Sequence, residues 1–192
     1  MPIVIPDNYY SYRFIALDPG LNHTGVAIYE IDSLQRCISS IQAYTIHPDL
    51  LPNLSGLDPE YYNDRIIKQH KLYLELYSLI ERVQPFAVVC ESPFYNRFRP
   101  MAYGALLETL AYIQRAVLDY NPNIFFKTIE PLAVKKAVGA GMMKGKIDVK
   151  FCVENNPEIM SKMQTDIDLL DEHAIDSLAI GFCFIKNSGL LV

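Results

Sequence analysis

The stretch "ALDPGLNHTGVAIYE", residues 16–30, runs an apolar strand into an aspartate, then Pro-Gly, then a second apolar strand. Asp is a poor strand former, so its place at the mouth of a hydrophobic run needs a reason. A turn accepts it cheaply, because Asp, Pro and Gly all favour turns. A metal or phosphate site also wants a carboxylate there. The stretch fits both readings, and partners elsewhere in the chain decide between them.

Working outward, "RFIALD" (13–18) and "GVAIYEI" (25–31) read as strands joined by the turn "PGLNHT", with a third strand over 36–46. Their links are short, which predicts an antiparallel meander. Residues 47–59 hold three prolines and one glycine and read as a loop. From Glu60 to Val83, Ile66, Ile67, Leu74, Leu76, Leu79, Ile80 and Val83 recur at helical spacing. "FAVVCE" (86–91) is short, continuous and β-branched, as in a strand covered on both faces, and it too ends in a carboxylate. A loop with Pro and Arg follows over 92–100. Residues 101–119 form a helix apolar around much of its circumference, which places it in the core or partly in a subunit interface.

"NIFFKTI" (123–129) reads as a strand and "EPLAVKKAV" (130–138) as a short helix with Pro131 near its start. "GAGMMKGK" (139–146) is a glycine-rich basic loop, and "KIDVKFCVE" (146–154) restarts a helix. Residues 155–168 are polar and read as irregular. "LLDEHAIDSLAIGFCFIKN" (169–187) reads as an amphipathic helix. Three antiparallel strands followed by alternating helix and strand predict an α/β fold, a mixed five-stranded sheet with helices on both faces. No repeat or linker divides the chain, so a single domain over 1–192 is expected.

Composition bounds the function. The 192 residues suffice for a full core, and 51% hydrophobic with 20% charged residues describes a globular chain. A net charge of −5 argues against a generic polybasic nucleic-acid binder but allows a local basic patch. Cys37, Cys90, Cys152 and Cys183 are scattered without a C-x-x-C pair, which argues against a disulfide framework or zinc site and for a reducing compartment. The opening "MPIVIPDNYYSYR" lacks a basic n-region and a long apolar core, and no run reaches the roughly 18 apolar residues of a membrane span. A cytoplasmic protein with no membrane partner is expected.

Asp18 ends the first strand and Glu91 the fourth, while His173 and Asp176, three apart, share a face of the last helix. Taken singly, each has a structural explanation: a turn former, a solvated strand end, a polar helix face. If strands one and four are neighbours and the last helix packs over their ends, all four converge. Converging carboxylates repel at low dielectric, and a hard divalent cation such as Mg²⁺ relieves that repulsion. Two such ions can clamp the attacking and leaving oxygens of a phosphodiester displacement.

The segments "FIALDPGLNHTGVAIYE", "VVCESPF", "VGAGMMKGKIDV" and "DEHAIDSLAIGF" together resemble the RuvC type of Holliday-junction resolvase, over residues 14 to about 184. The resemblance implies a ribonuclease-H-like fold and a homodimeric, Mg²⁺-dependent endodeoxyribonuclease. Such an enzyme nicks two opposing strands of a four-way DNA junction, with two Mg²⁺ per site and Mn²⁺ as a substitute. It places Asp18, Glu91, His173 and Asp176 on catalytic, metal-binding positions. The position of His173 is Asp in some members and His in others, so metal binding and positioning of the attacking water both stay open for it. Asp171 and Glu172 are competitors, and Glu172, four residues before Asp176, is the stronger.

Between Lys127 and Lys150 lie six lysines and two acids, so this segment carries +4 within a chain of −5. Clustered lysines neutralise phosphates. The resemblance aligns Lys135 and Lys146 best with functional lysines, leaving Lys136 and Lys144 as alternatives. Phe94, in a loop with Arg97 and Arg99, is either a core-facing anchor or an aromatic that stacks on an unpaired base while the arginines hold the backbone. His23, in the turn after Asp18, is within reach of the site but reads first as a loop histidine; His47 and His70 carry no signal, and Cys90 should point away from Glu91 and be buried. No small-molecule cofactor is expected. The rivals are a related nuclease of the same fold, a less selective fork or flap nuclease, an actin-like ATP binder, and a non-catalytic DNA-structure binder.

Overall fold

Strands β1 (Ser11–Asp18), β2 (Thr24–Asp32) and β3 (Cys37–Ile46) form the expected antiparallel meander. Then β4 (Ala87–Glu91) joins β1 in parallel and β5 (Phe125–Ile129) joins β4 in parallel, giving the order β3-β2-β1-β4-β5. The computed structural model describes residues 11–53, 56–95, 97–98, 100–140 and 148–190. Among the predicted DNA contacts, Arg99, Lys144 and Lys146 lie outside the described residues.

Helices cover both faces. On one side lie α1 (Asp64–Val83) and α2 (Pro100–Tyr120). On the other lie α3 (Pro131–Val138), α4 (Val149–Glu154), the single turn α5 (Pro157–Met160) and α6 (Glu172–Ser188). Alternation along each strand sorts its side chains between these layers. In β1, Ile15 and Leu17 enter the α1/α2 core while Phe14 and Ala16 enter the α6 core; in β4, Val88 and Cys90 take the first and Ala87 and Val89 the second. Asp18 and Glu91 continue the second series, so both aim at the α6 side. Cys90 is fully buried on the opposite face, as its register requires.

Helix α1 starts on Asn63, whose side chain accepts from the Ile66 N–H, and stops at Gln84 in the left-handed region. Pro131 opens α3 and Gly139, at φ 91°, closes it.

Two expectations need correction. Helix α6 is not amphipathic in its body: Ser177 through Ile185 are all buried. A helix sealed on all sides carries its polar groups at the ends, and His173 and Asp176 sit in the first turns. Residues 155–168 are not merely irregular. Asn156 caps α5, and the chain then runs along the free edge of β3. There Ile41 N–H donates to Lys162 O (2.9 Å), Gln164 N–H to Ile41 O (2.8 Å) and Gln42 Nε2 to Gln164 Oε1 (2.7 Å). The segment covers an edge that would otherwise expose unpaired backbone groups.

The seat of α6 on β2 depends on a glycine. A methyl at Gly181 would stand 2.2 Å from a ring carbon of Tyr29, which is fully buried and donates its hydroxyl to Leu178 O at 2.6 Å. Gly181→Ala is therefore expected to cost about 1–3 kcal/mol through overpacking. The check is the urea midpoint, which should fall with an unchanged m-value.

Candidate active site

Parallel pairing sets Leu17 beside Cys90, so the next residues, Asp18 and Glu91, leave neighbouring strands at the same end of the sheet. Helix α6 arrives over that end. Asp171 caps it, accepting from the Ala174 N–H (3.0 Å) and from the Thr45 hydroxyl at the end of β3 (2.5 Å). Both bonds fall on Asp171 Oδ1 and pin the helix start to the sheet. Gly25 sits opposite Asp18 on β2, and a methyl there would lie 1.9 Å from the His173 carbonyl oxygen. The missing side chain is what lets the first turn of α6 lie against the strand.

His173 Nδ1 is 2.8 Å from Asp18 Oδ2. A carboxylate only accepts, so Nδ1–H donates and Nε2 is the free ring atom. Both side chains are partly buried, 29% and 13% exposed. The hydrogen bond to Asp18 raises the His173 pKa against the lowering effect of burial. Burial, then the charges of Asp18 and Asp176, push Glu91 up to about 7. Burial and Asp18 push Asp176 up to about 6, while His173 and Lys135 pull it down. Asp18, Glu91, His173 and Asp176 thus influence one another electrostatically at one end of the sheet.

Beside them opens a cleft of about 440 Å³ lined by Glu91, Asp176, Glu172, Phe94, Lys135 and Lys150 among others. Lys135 projects from α3 into this rim; Lys136, exposed one position on, does not line it. Phe94 is 68% exposed at the cleft, so the core-anchor alternative does not hold. Arg97 lies over the Phe98 ring, 4.6 Å from its centroid, and is exposed on the same loop. Glu172 is exposed, with Oε1 3.9 Å from His173 Nε2.

Sequence reading missed three participants. Lys150 lines the cleft, and its place in the basic segment was the available signal. His23 stacks on His173 and His47 bonds His23; the place of His23 in the turn after Asp18 was the available signal for the first, and nothing in the local sequence marks the second.

The donor set fits a hard divalent cation. Three carboxylates and an imidazole meet where burial and mutual repulsion disfavour the charged forms, and added positive charge would offset that cost. Among the described residues, no group of three or more acidic, histidine or cysteine side chains stands close enough together to hold a metal ion, so these four would have to draw in around one.

Comparison with known proteins places this arrangement. No family profile matches the chain. The crossover junction endodeoxyribonuclease RuvC of Neorickettsia sennetsu is 25% identical over 186 residues, 93% of this chain and 99% of that protein. The RuvC of T. thermophilus, solved in complex with a Holliday junction substrate, superposes with a TM-score of 0.63 at 16% identity, over 90% of this chain and 91% of that one. The yeast mitochondrial Holliday junction resolvase Ydc2 gives 0.59 at 12% identity, over 95% and 81%. The structural likenesses establish the ribonuclease-H-like fold. The near full-length sequence likeness bears out the resemblance to RuvC-type resolvases read from the motifs.

Glu91, Asp176 and His173 all bind protons more tightly in the folded state than in the unfolded chain. Their contribution to stability is therefore complete in acid and is lost as pH rises from the ordinary carboxyl range through about 7. Asp119 and Asp171 are shifted downward, so their effect falls at lower pH, outside this window. In EDTA, the melting temperature is expected to fall between pH 5 and pH 8, and Mg²⁺ should recover much of the loss at pH 8. A thermal-shift series at both pH values, with and without Mg²⁺, checks it.

Proposed function

We propose that this protein is a metal-dependent endodeoxyribonuclease that resolves four-way DNA junctions by paired nicks on opposing strands, acting as a homodimer. The observation that carries the reading is the meeting of Asp18, Glu91 and Asp176 at one end of the sheet, beside a cleft rimmed by lysine and an exposed aromatic. The likeness to RuvC supports the choice of substrate.

Asp18, Glu91, Asp176 and His173 are the residues that would hold Mg²⁺, with Mn²⁺ as a substitute. When bound, the metal supplies positive charge to the attacking and leaving oxygens of a phosphodiester displacement and makes water a usable nucleophile at neutral pH. Glu91 and Asp176 would hold the ion in their deprotonated forms, which burial disfavours here. The bond from Nδ1 to Asp18 holds one edge of the His173 ring, with Nε2 3.9 Å from Glu172 Oε1. Lys135 and Lys150 take DNA phosphates, with Arg97 on the flanking loop and Lys136 further out on α3. Phe94 offers its face to an unpaired base at the junction centre. Arg99, Lys144 and Lys146 belong to the same proposed DNA surface by their sequence neighbourhood.

For the dimer, α2 exposes Leu107, Ala111 and Leu118 at spacings of four and seven, apolar positions on a face that also carries Gln114 and Arg115. Its two-fold axis would present one site to each of two strands.

The test is cleavage of a labelled four-way junction, beside a fork, a flap and plain duplex, in Mg²⁺ or EDTA. Paired nicks in Mg²⁺ alone, lost in Asp18→Asn and Glu91→Gln while junction binding persists, are expected. Binding without cleavage by the wild type would overturn the catalytic reading, and equal cutting of forks and flaps would overturn junction selectivity. Lys135→Ala should weaken junction binding across sequences and reduce the slope of log affinity against log salt by about one. Titrations at several salt concentrations measure it.

A further inference from the structure

We propose that His23 is a positioning residue for His173: its ring holds the His173 imidazole against Asp18, and His47 holds His23. The effect on turnover rests on the nuclease reading above; the placement of the ring does not.

Three histidines from three separate elements meet at this point. His23 belongs to the β1–β2 turn, His47 follows β3, and His173 is in the first turn of α6. The His23 and His173 rings stack with centroids 5.3 Å apart and planes 23° apart. His23 Nδ1 lies 2.9 Å from His47 Nδ1, and the two rings meet edge to face at 4.9 Å. Stacked and edge-to-face contacts at such distances are the favoured arrangements of aromatic rings.

His173 needs such support. Its side chain is 29% exposed, and one hydrogen bond to Asp18 fixes an edge of the ring while leaving rotation about that bond. A second ring on its face removes that freedom. His23 is itself exposed and would swing freely without an anchor. The anchor is His47, whose carbonyl accepts from the Leu50 N–H at 2.9 Å in the helical turn after β3. The β1–β2 turn is equally tied: Thr24 Oγ1 donates to Gly20 O at 2.8 Å, and a methyl on Gly20 would sit 2.2 Å from the His23 carbonyl oxygen. Both supporting histidines thus stand on constrained backbone. A misplacement of about 1 Å at a reacting group can cost up to a hundredfold in rate. A buttress one ring removed from Asp18 therefore has leverage on turnover without touching the substrate.

The experiment compares His23→Ala, His23→Phe and His23→Gln. Phe keeps both ring contacts, the stack on His173 and the edge-to-face contact with His47, and loses only the His47 hydrogen bond; Gln keeps a polar group and loses the face. Junction cleavage gives kcat and KM. NMR of the metal-free, ¹⁵N-histidine-labelled protein gives the His173 ring signals, and thermal melts report folding. Positioning predicts a kcat roughly tenfold or more lower in the Ala and Gln variants with KM unchanged. It also predicts that the His173 ring-proton signals move when the His23 face is removed, and that Phe recovers most of the rate and the shift. If Ala fails to fold, Phe against Gln decides alone. Activity kept in Gln and lost in Phe would overturn the proposal, as would unmoved His173 signals or a rise in KM alone, which would make His23 a DNA contact. Should the wild type cut no junction, the nuclease reading fails while the NMR comparison still decides how His173 is held.

Discussion

The first turn of α6 lies so close to β2 that there is no space for a side chain at Gly25, where a methyl would stand 1.9 Å from the His173 carbonyl oxygen. Everything at the site follows from that approach. Gly25 is the register partner of Asp18, so whatever α6 presents in its first turns is delivered to the aspartate on the neighbouring strand. The helix can come this close because Gly181, two and a half turns further on, gives way to the Tyr29 ring in the same manner. Two glycines, one on each element, set the distance between sheet and helix. The Asp171 cap, tied to Thr45, sets the angle of entry.

The cost of this geometry is electrostatic. Three carboxylates share a partly buried region, and the nearby positive groups, His173 and Lys135, do not compensate them: Glu91 still rises from 4.5 to about 7. Such an arrangement opposes folding in its charged form, so it persists in a sequence for a reason other than stability. Uptake of positive charge would offset that cost, which is the part a divalent cation plays in the function proposed above.

Packing that looks remote contributes to the same end of the molecule. Residues 155–170 close the exposed edge of β3 and lead directly into the α6 cap. The turn after β3 carries His47 toward His23. The first segment is hydrogen-bonded to β3, and the second reaches the helix that bears His173 through the His23 ring.

Much of this was legible in the chain. Alternation and turn chemistry in "ALDPGLNHTGVAIYE" predict the hairpin, the β-branched run ending in Glu91 predicts a buried parallel strand, and the three-residue spacing of His173 and Asp176 puts both on one helix face. Local patterns of this kind survive because strand and helix periods are properties of neighbouring residues. Convergence itself was conditional, since whether β1 and β4 pair depends on contacts about seventy residues apart in sequence. The sealed body of α6 was misread as amphipathic because an apolar run with polar ends has the same local pattern whether one face or all faces are covered. The contacts of His23 and His47 and the place of Lys150 in the cleft come from the tertiary structure. A histidine in a turn has the same sequence signature whether it faces water or another ring, and only the packing of α6 against the sheet brings that ring within reach.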